Sequence, residues 1–429
     1  MKGPVMIANA LAALLRGECS DALFPVYGEK AGEQKKRLSS LTDTFVKKYG
    51  DMPDAGLFSV PGRIELSGNH TDHNRGCVIA GSVDLDIAAL AAPTDDMKIR
   101  LKSEGFPEDT VDISAENLPS ESAFGSSAAL IAGVCEGFRQ RGYRVGGFCA
   151  FTVSDVPKGS GLSSSAAFEV MVGNILNHLY NGGKVSPTEL AQIAQYSENV
   201  FFGKPCGLMD QLACAYGGVI AIDFADPKAP AVECLDFSPV NEKYSICVTH
   251  TGGSHADLTD DYAAVPAEMK AVAACFGKEV LREVDEGSVL SSIPALRGKV
   301  GDRAILRALH FFEENRRVAL QREALRSGDT GTYLALVKKS GESSFMFLQN
   351  AYAPKAPTSE GIPLALFLLG KLLPDDGAYR LQGGGFAGTV QAYIPNEKYK
   401  TVEASLLSVF GKESCDRLSV RRAGAVKVL

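Results

Sequence analysis

Gly159-Ser160-Gly161-Leu162-Ser163-Ser164-Ser165-Ala166 is the stretch on which the reading of this chain turns. The residues before it, Ala150–Val156, read as a strand ended by Pro157-Lys158-Gly159. Those after it, Ala166–Tyr180, read as a helix, with Ala167, Phe168, Met171, Ile175 and Leu179 at core-facing spacing. Between strand and helix, glycines let backbone N–H groups close on phosphate oxygens. The hydroxyls add donors, and the helix N-terminus supplies positive potential. A hydroxyl so placed can also ligate Mg²⁺ carried by the phosphates. The segment is neither Gly-x-x-x-x-Gly-Lys-Ser/Thr nor Gly-x-Gly-x-x-Gly. Its plain alternative is a loop that only caps a helix. Phe124-Gly125-Ser126-Ser127-Ala128-Ala129 repeats the same letters but follows Pro119-Ser120-Glu121-Ser122 instead of a strand, and is read as such a cap.

Outward from this loop the elements mix without a regular βαβ period, which is the pattern of an α+β protein. Residues 5–50 read as helical. Strands are expected at Leu57–Val60, Cys77–Ala92, Met97–Ser103, Val219–Phe224 and Tyr244–His250. Pro187 opens a helix that runs to about Asn199. Further helices are expected at Asp302–Ser327, Gly331–Gln349 and Pro363–Leu373. A strand pair, Tyr379–Gln382 and Thr389–Ile394, flanks Gly383-Gly384-Gly385, and a helix and a short strand, Leu418–Arg422, follow. At roughly 100–200 residues per domain, 429 residues make two or three domains. The Pro-rich Asp226–Ala231 divides them into 1–225 and 226–429.

Composition narrows the class. A formal charge of −7, with no run of five basic residues, argues against nucleic acid as a partner. No apolar run reaches membrane-spanning length, and Met6–Leu15 reads as an amphipathic helix and not a signal peptide. The ten cysteines form neither Cys-x-x-Cys nor a zinc spacing, so a reduced cytoplasmic setting is expected.

Three further segments lie in order around the loop: Pro61-Gly62-Arg63-Ile64-Glu65-Leu66-Ser67-Gly68-Asn69-His70-Thr71-Asp72-His73-Asn74; Glu198 through Gln211, with Pro205-Cys206-Gly207-Leu208-Met209-Asp210-Gln211; and Leu381-Gln382-Gly383-Gly384-Gly385-Phe386-Ala387-Gly388. The loop resembles the phosphate-binding motif of the GHMP kinases, the superfamily of galactokinase, homoserine kinase, mevalonate kinase and phosphomevalonate kinase. The glycine segment at 381–388 resembles that superfamily's C-terminal motif. The other two segments resemble galactokinases in particular. Together the four span residues 61 to 388. The resemblance implies a two-domain α+β fold, an N-terminal mixed sheet with helices and a C-terminal ferredoxin-like α/β sandwich. ATP, Mg²⁺ and sugar would meet in the cleft between them. It implies an ATP-dependent kinase acting on the anomeric hydroxyl of galactose, acting as a monomer or weak oligomer.

By the same resemblance, Gly159, Ser160, Gly161, Leu162, Ser163, Ser164, Ser165 and Ala166 bind ATP. Asp210 is the candidate catalytic base. Arg63 would keep it ionised and stabilise charge on the transferred group. Asn69, His70, Asp72, Gly207 and Tyr262 are the candidate sugar contacts. Glu198 and a serine, Ser165 or its neighbour Ser164, are the candidate Mg²⁺ ligands, and Gly383–Gly385 would bring backbone close to both substrates.

One departure bears on the acceptor. Galactokinases carry Asn where this chain has Glu65, and Glu where it has Asn69; His73 replaces a Tyr. An ionised Glu only accepts hydrogen bonds, whereas an amide also donates. Either galactose is held by compensated contacts, or the acceptor is an analogue such as arabinose, galacturonate or an amino sugar. Some galactokinase-like proteins are non-catalytic galactose/ATP sensors, but those lose phosphate-loop residues that are intact here.

Overall fold

The computed structural model describes residues 23–114, 124–157, 161–204, 206–253 and 258–429. The expected helix at 6–15, together with Gly159 and Ser160, lies outside the described residues. In chain order the main elements are α1 (Ala31–Tyr49), β1 (Gly56–Ser67), β2 (Cys77–Pro93), β3 (Lys98–Ser103), β4 (Glu108–Asp112), α2 (Ser127–Gln140), β5 (Phe148–Ser154), α3 (Ser164–Tyr180), α4 (Pro187–Tyr196), α5 (Met209–Tyr216), β6 (Val219–Asp223) and β7 (Ala231–Leu235). They continue as β8 (Tyr244–His250), α6 (Thr259–Ala274), α7 (Glu286–Val300), α8 (Asp302–Ser327), α9 (Thr330–Ser343), α10 (Gly361–Leu372), β9 (Ala378–Gln382), β10 (Thr389–Pro395), α11 (Tyr399–Phe410), β11 (Cys415–Leu418) and β12 (Val426–Lys427).

The strands form two sheets. The larger runs β12-β1-β2-β5-β3-β4, with β6 and β7 continuing from the first half of β2; the smaller is β11-β8-β10-β9. In the larger sheet β3 and β5 pair in parallel, which makes it mixed, while every pairing in the smaller sheet is antiparallel. On one face of the larger sheet α3 buries Ala167, Val170, Met171, Ile175 and Leu176. On the other, α1 buries Leu38, Leu41 and Phe45 against Leu90 and Phe151. Both faces are therefore dry, and this is why β1 and most of β2 read as nearly continuous buried runs instead of alternating ones. A separate apolar cluster joins the lobes: Ile64, Leu66 and Leu162 pack with Ile246, Val248, Val318 and Tyr333.

Two stretches beyond residue 225 belong to the larger sheet: β7 pairs with β6, and β12, at the end of the chain, pairs with β1. The sheets thus do not separate at the Pro-rich segment. The helices α6 and α7 were not expected from the sequence. Each carries an internal proline, Pro266 and Pro294, which breaks the helical pattern without ending the helix. The helices expected to reach Asn199 and Gln349 stop as regular α-helix at Tyr196 and Ser343 and continue as π-helical turns, Ser197–Phe202 and Ser344–Leu348.

Candidate active site

The register of β1 against β2 shifts between Pro61 and Arg63 and again between Glu65 and Ser67. Such bulges re-aim side chains, and here they do so within the first motif. Gly62 at the first bulge leaves little room for a side chain: a Cβ would stand 3.0 Å from Leu162 O. The phosphate loop docks on this spot, with Arg63 N–H donating to Leu162 O at 3.1 Å and the Leu162 side chain fully buried.

Arg63 and Asp210 are 147 residues apart in sequence and form a two-pronged pair, Nε to Oδ1 at 2.6 Å and Nη2 to Oδ2 at 2.7 Å. The third nitrogen, Nη1, donates to Gly161 O in the phosphate loop, and Gln382 Nε2 donates to the same carbonyl at 3.2 Å. Burial by itself would raise the Asp210 pKa. The charge and hydrogen bonds of Arg63, a hydrogen bond from Ser163 and the charge of Lys204 outweigh it, so the carboxyl stays below its usual range.

The two similar Gly/Ser segments differ in what their serines do. Ser126 caps α2 by accepting from Ala129 N–H at 3.1 Å, as expected of a plain cap. Ser163, at the equivalent place before α3, has a left-handed backbone (φ 56°) and makes no side-chain cap. Its hydroxyl donates instead to Asp210 Oδ2. The first amides of α3 are therefore left without a capping side chain, the arrangement a phosphate needs.

Behind the loop, Glu198 is buried at the start of a π-helical turn. Its Oε1 is 3.4 Å from Ser165 Oγ and 3.4 Å from Lys204 Nζ. Gln211 Nε2 donates to Glu198 Oε2 at 2.9 Å and to Glu169 Oε2 at 3.3 Å. Burial and the Glu198 charge push Glu169 well above the usual carboxylate range, and its Oε1 has no partner among the described residues. Hard oxygen donors held by such long contacts suit a Mg²⁺ ion.

The second half of the first motif turns sharply after β1, with Gly68 at φ 90° and His70 at φ 58°. Helix α8 holds this turn through one face. His310 Nε2 donates to Asn69 O at 3.0 Å, Glu314 Oε1 accepts from Gly68 N–H at 3.1 Å, and Gln321 accepts from Ser67. His70 Nε2 donates to Gly384 O at 2.9 Å, and burial pushes the ring down to about 4. Asp72 packs so closely on Gly207 that a Cβ there would collide with Asp72 Oδ2. The Tyr262 hydroxyl donates to Gly385 O at 2.8 Å, and its ring closes over Gly384. His70 and Tyr262 thus meet at the Gly384–Gly385 backbone, and Asp72 meets Gly207, three residues before Asp210.

Asn69 departs from expectation. It is fully buried, and its amide donates to Glu65 Oε1 at 3.0 Å and to Gly383 O at 2.8 Å. Its oxygen accepts from Asn350 at 2.9 Å and Ser344 at 3.3 Å. Every side-chain donor and lone pair is taken by protein, so as placed here Asn69 braces the turn. Glu65 in turn accepts from fully buried Arg380 Nη2 at 2.6 Å. The exchanged pair is one hydrogen-bonded unit that ties β1 to β9.

Sequence reasoning missed Arg380, His310, Glu314 and Lys204. The first three are buried polar residues, and His310, Glu314 and Gln321 share one face of α8 at helical spacing. That signal was present but had no partner until the turn at 68–70 was placed against it.

A family model described as the N-terminal domain of GHMP kinases matches residues 134–218, and one described as the galactokinase galactose-binding signature matches residues 43–93. A galactokinase of Pyrococcus furiosus is 32% identical over 349 residues, which are 81% of this chain and 91% of that protein. The chain belongs to the galactokinase family. A galactokinase of Actinobacillus pleuropneumoniae serotype 3 is 30% identical over 377 residues, 87% of this chain and 94% of that one. In fold, Lactococcus lactis galactokinase complexed with galactose is similar with a TM-score of 0.76 at 24% identity, covering 91% of this chain and 100% of that chain. Methanococcus jannaschii mevalonate kinase is similar with a TM-score of 0.61 at 15% identity, covering 85% and 98%. The α+β architecture is accordingly that of the GHMP kinases. The galactokinase signature takes in the β1 motif and the turn that α8 holds.

Proposed function

We propose that the protein transfers the γ-phosphoryl group of ATP to the anomeric hydroxyl of galactose, giving galactose 1-phosphate and ADP. The observation that carries this reading is the Arg63–Asp210 pair set against the phosphate loop. Asp210, ionised and within reach of the sugar cleft, accepts the hydroxyl proton as the new bond forms. Arg63 holds that carboxylate in one orientation and keeps a positive charge beside the transferred group. Residues 161–166 and the uncapped start of α3 receive the nucleotide's phosphates. Glu198 and Ser165 would hold Mg²⁺, which neutralises phosphate charge when bound. His70, Asp72, Gly207 and Tyr262 would orient the sugar, and the site lies between the lobes formed by the two sheets.

A second reading, a kinase for a galactose analogue such as arabinose, galacturonate or an amino sugar, is favoured by one observation. Asn69, at a position where galactokinases carry Glu, is wholly engaged within the protein. A sugar panel with ATP and Mg²⁺, scored by kcat/KM from ADP release with the product's phosphate position read by ³¹P NMR, tests both. Galactose is expected to lead and to yield the 1-phosphate. A higher kcat/KM for one analogue would move the assignment to that sugar, and no turnover with any sugar of the panel would remove the kinase reading.

A further inference from the structure

The contact between Lys204 and Glu198 is unlike the other ion pairs at the site. Lys204 follows the π-helical turn, and its backbone N–H closes onto Glu198 O at 3.1 Å, so the base of the side chain is fixed beside that carboxylate. Among the described residues its ammonium makes one long contact, 3.4 Å to Glu198 Oε1, and the side chain is 64% exposed while that of Glu198 is 4% exposed. The same Oε1 is the oxygen that Ser165 Oγ approaches, also at 3.4 Å. A contact this long, with its ammonium in solvent, gains little Coulomb energy and is easily exchanged for another partner. By contrast Arg63 is committed: Nε and Nη2 hold Asp210, and Nη1 holds the Gly161 carbonyl. Lys204 is thus a cation on a long, solvated stem. It is near enough to Asp210 to help keep it ionised, and it sits on the oxygen that a metal would need.

We propose that Lys204 is a phosphate-binding residue, which holds Glu198 in the nucleotide-free protein and gives it up to contact phosphate oxygens when Mg²⁺ and ATP bind. The inference rests on the kinase reading above and adds a residue to it. Two positive groups sharing Glu198 Oε1 would repel each other, so metal at Glu198 drives the ammonium off. The strongest nearby acceptors are then the anionic phosphates, to which Lys presents a compact, strongly hydrated charge. A carboxylate that would otherwise stand buried without a cation is neutralised in both states.

The test is equilibrium binding of Mg-ATP and of adenosine to the full chain without sugar, by displacement of a fluorescent nucleotide analogue, for wild type, Lys204→Gln and Lys204→Arg. Lys204→Gln is expected to weaken Mg-ATP about tenfold and to leave adenosine unchanged. Lys204→Arg should stay within about threefold of wild type, and added salt should weaken Mg-ATP less steeply in Lys204→Gln than in wild type. In turnover, KM for ATP should rise with KM for the sugar unchanged. Wild-type affinity of Lys204→Gln for Mg-ATP, or an equal loss for Mg-ATP and adenosine, overturns the proposal. Circular dichroism matching wild type and a melting transition well above the assay temperature show that Lys204→Gln is folded. A wild-type protein that binds no Mg-ATP would remove the kinase reading together with this inference, whereas normal wild-type binding matched by Lys204→Gln removes only the inference.

Discussion

Replacing Asn69 by Glu would restore the residue galactokinases usually carry at this position, yet here it should damage the protein. A glutamate has no hydrogen to give, so the donations to Glu65 Oε1 and Gly383 O, now 3.0 Å and 2.8 Å long, would both end. Two carboxylates about 4 Å apart repel by about 4 kcal/mol at an effective dielectric of 20, and an acceptor left without its donor in a buried site costs about 1–3 kcal/mol more. Arg380 Nη1, which has no partner among the described residues, can turn to the new carboxylate and offset part of this. A net loss of about 3–4 kcal/mol is expected, in the range measured when a buried charge is left uncompensated. An unfolding entropy of about 2.1 cal/mol/K per residue amounts to about 0.9 kcal/mol/K over 429 residues. If unfolding is one cooperative step, the melting temperature should therefore fall by about 3–5 °C. Because the network ties the turn at 68–70 to Gly383, KM for the sugar should rise as well. The double variant Glu65→Asn/Asn69→Glu again has one carboxylate and one amide beside Arg380, and should recover at least half of both losses. Calorimetry and sugar kinetics on the two single variants and the double close the cycle. A single variant that melts within about 1 °C of wild type, or a double variant no better than Asn69→Glu, would refute the claim that the two residues act as one unit.

Other outcomes can be checked alongside. Asp210→Asn should lower kcat by about 10²–10⁴ while calorimetry finds sugar affinity within a few-fold of wild type. Gly207→Ala should raise KM for the sugar at least tenfold by displacing Asp72, and KM for ATP should not move. Ser165→Ala should raise the Mg²⁺ concentration needed for half-maximal rate and Ser164→Ala should not, because it is Ser165 that faces Glu198. For pH, His70 is held neutral by burial with a folded-state pKa of about 4, whereas the unfolded ring takes up a proton near 6.5. The unfolded chain therefore binds more protons between these values. This contribution to stability is present above pH 6.5 and is lost as the pH falls toward 4. A melting curve measured from pH 7 to 5 should show a smaller decline for His70→Gln than for wild type.

How legible the molecule was depended on the kind of interaction. The phosphate loop, the Pro-Gly bulge and the Met-Asp-Gln segment are local, so residue identity and spacing were enough to mark them. Helix α8, Asp302–Ser327, was readable to the residue because its pattern and its glycine stop are unbroken. Helices α6 and α7 were lost to internal prolines. Strands β4 and β7 were lost because each buries a single residue, with sequences such as Glu-Asp-Thr-Val-Asp that carry little alternation. The bonding of Asn69 was hidden for a different reason. Besides Glu65, four residues back, its partners are Gly383, Ser344 and Asn350, some 275 to 314 residues away.

From residue identity alone came the family resemblance, the α+β class and the chemistry of phosphoryl transfer, since glycines, hydroxyls and one Arg–Asp combination carry those wherever the chain puts them. What each polar group does was decided only in three dimensions. Ser126 and Ser163 stand in nearly the same letters, and one caps a helix while the other binds the Asp210 carboxylate. Glu65 and Asn69 read as an exchange of carboxylate and amide in sequence, and in three dimensions they bond to each other and, through Arg380, tie β1 to β9. The physical reason is that a buried donor or acceptor must find a partner, and the partner is chosen by packing between lobes, which no local pattern records.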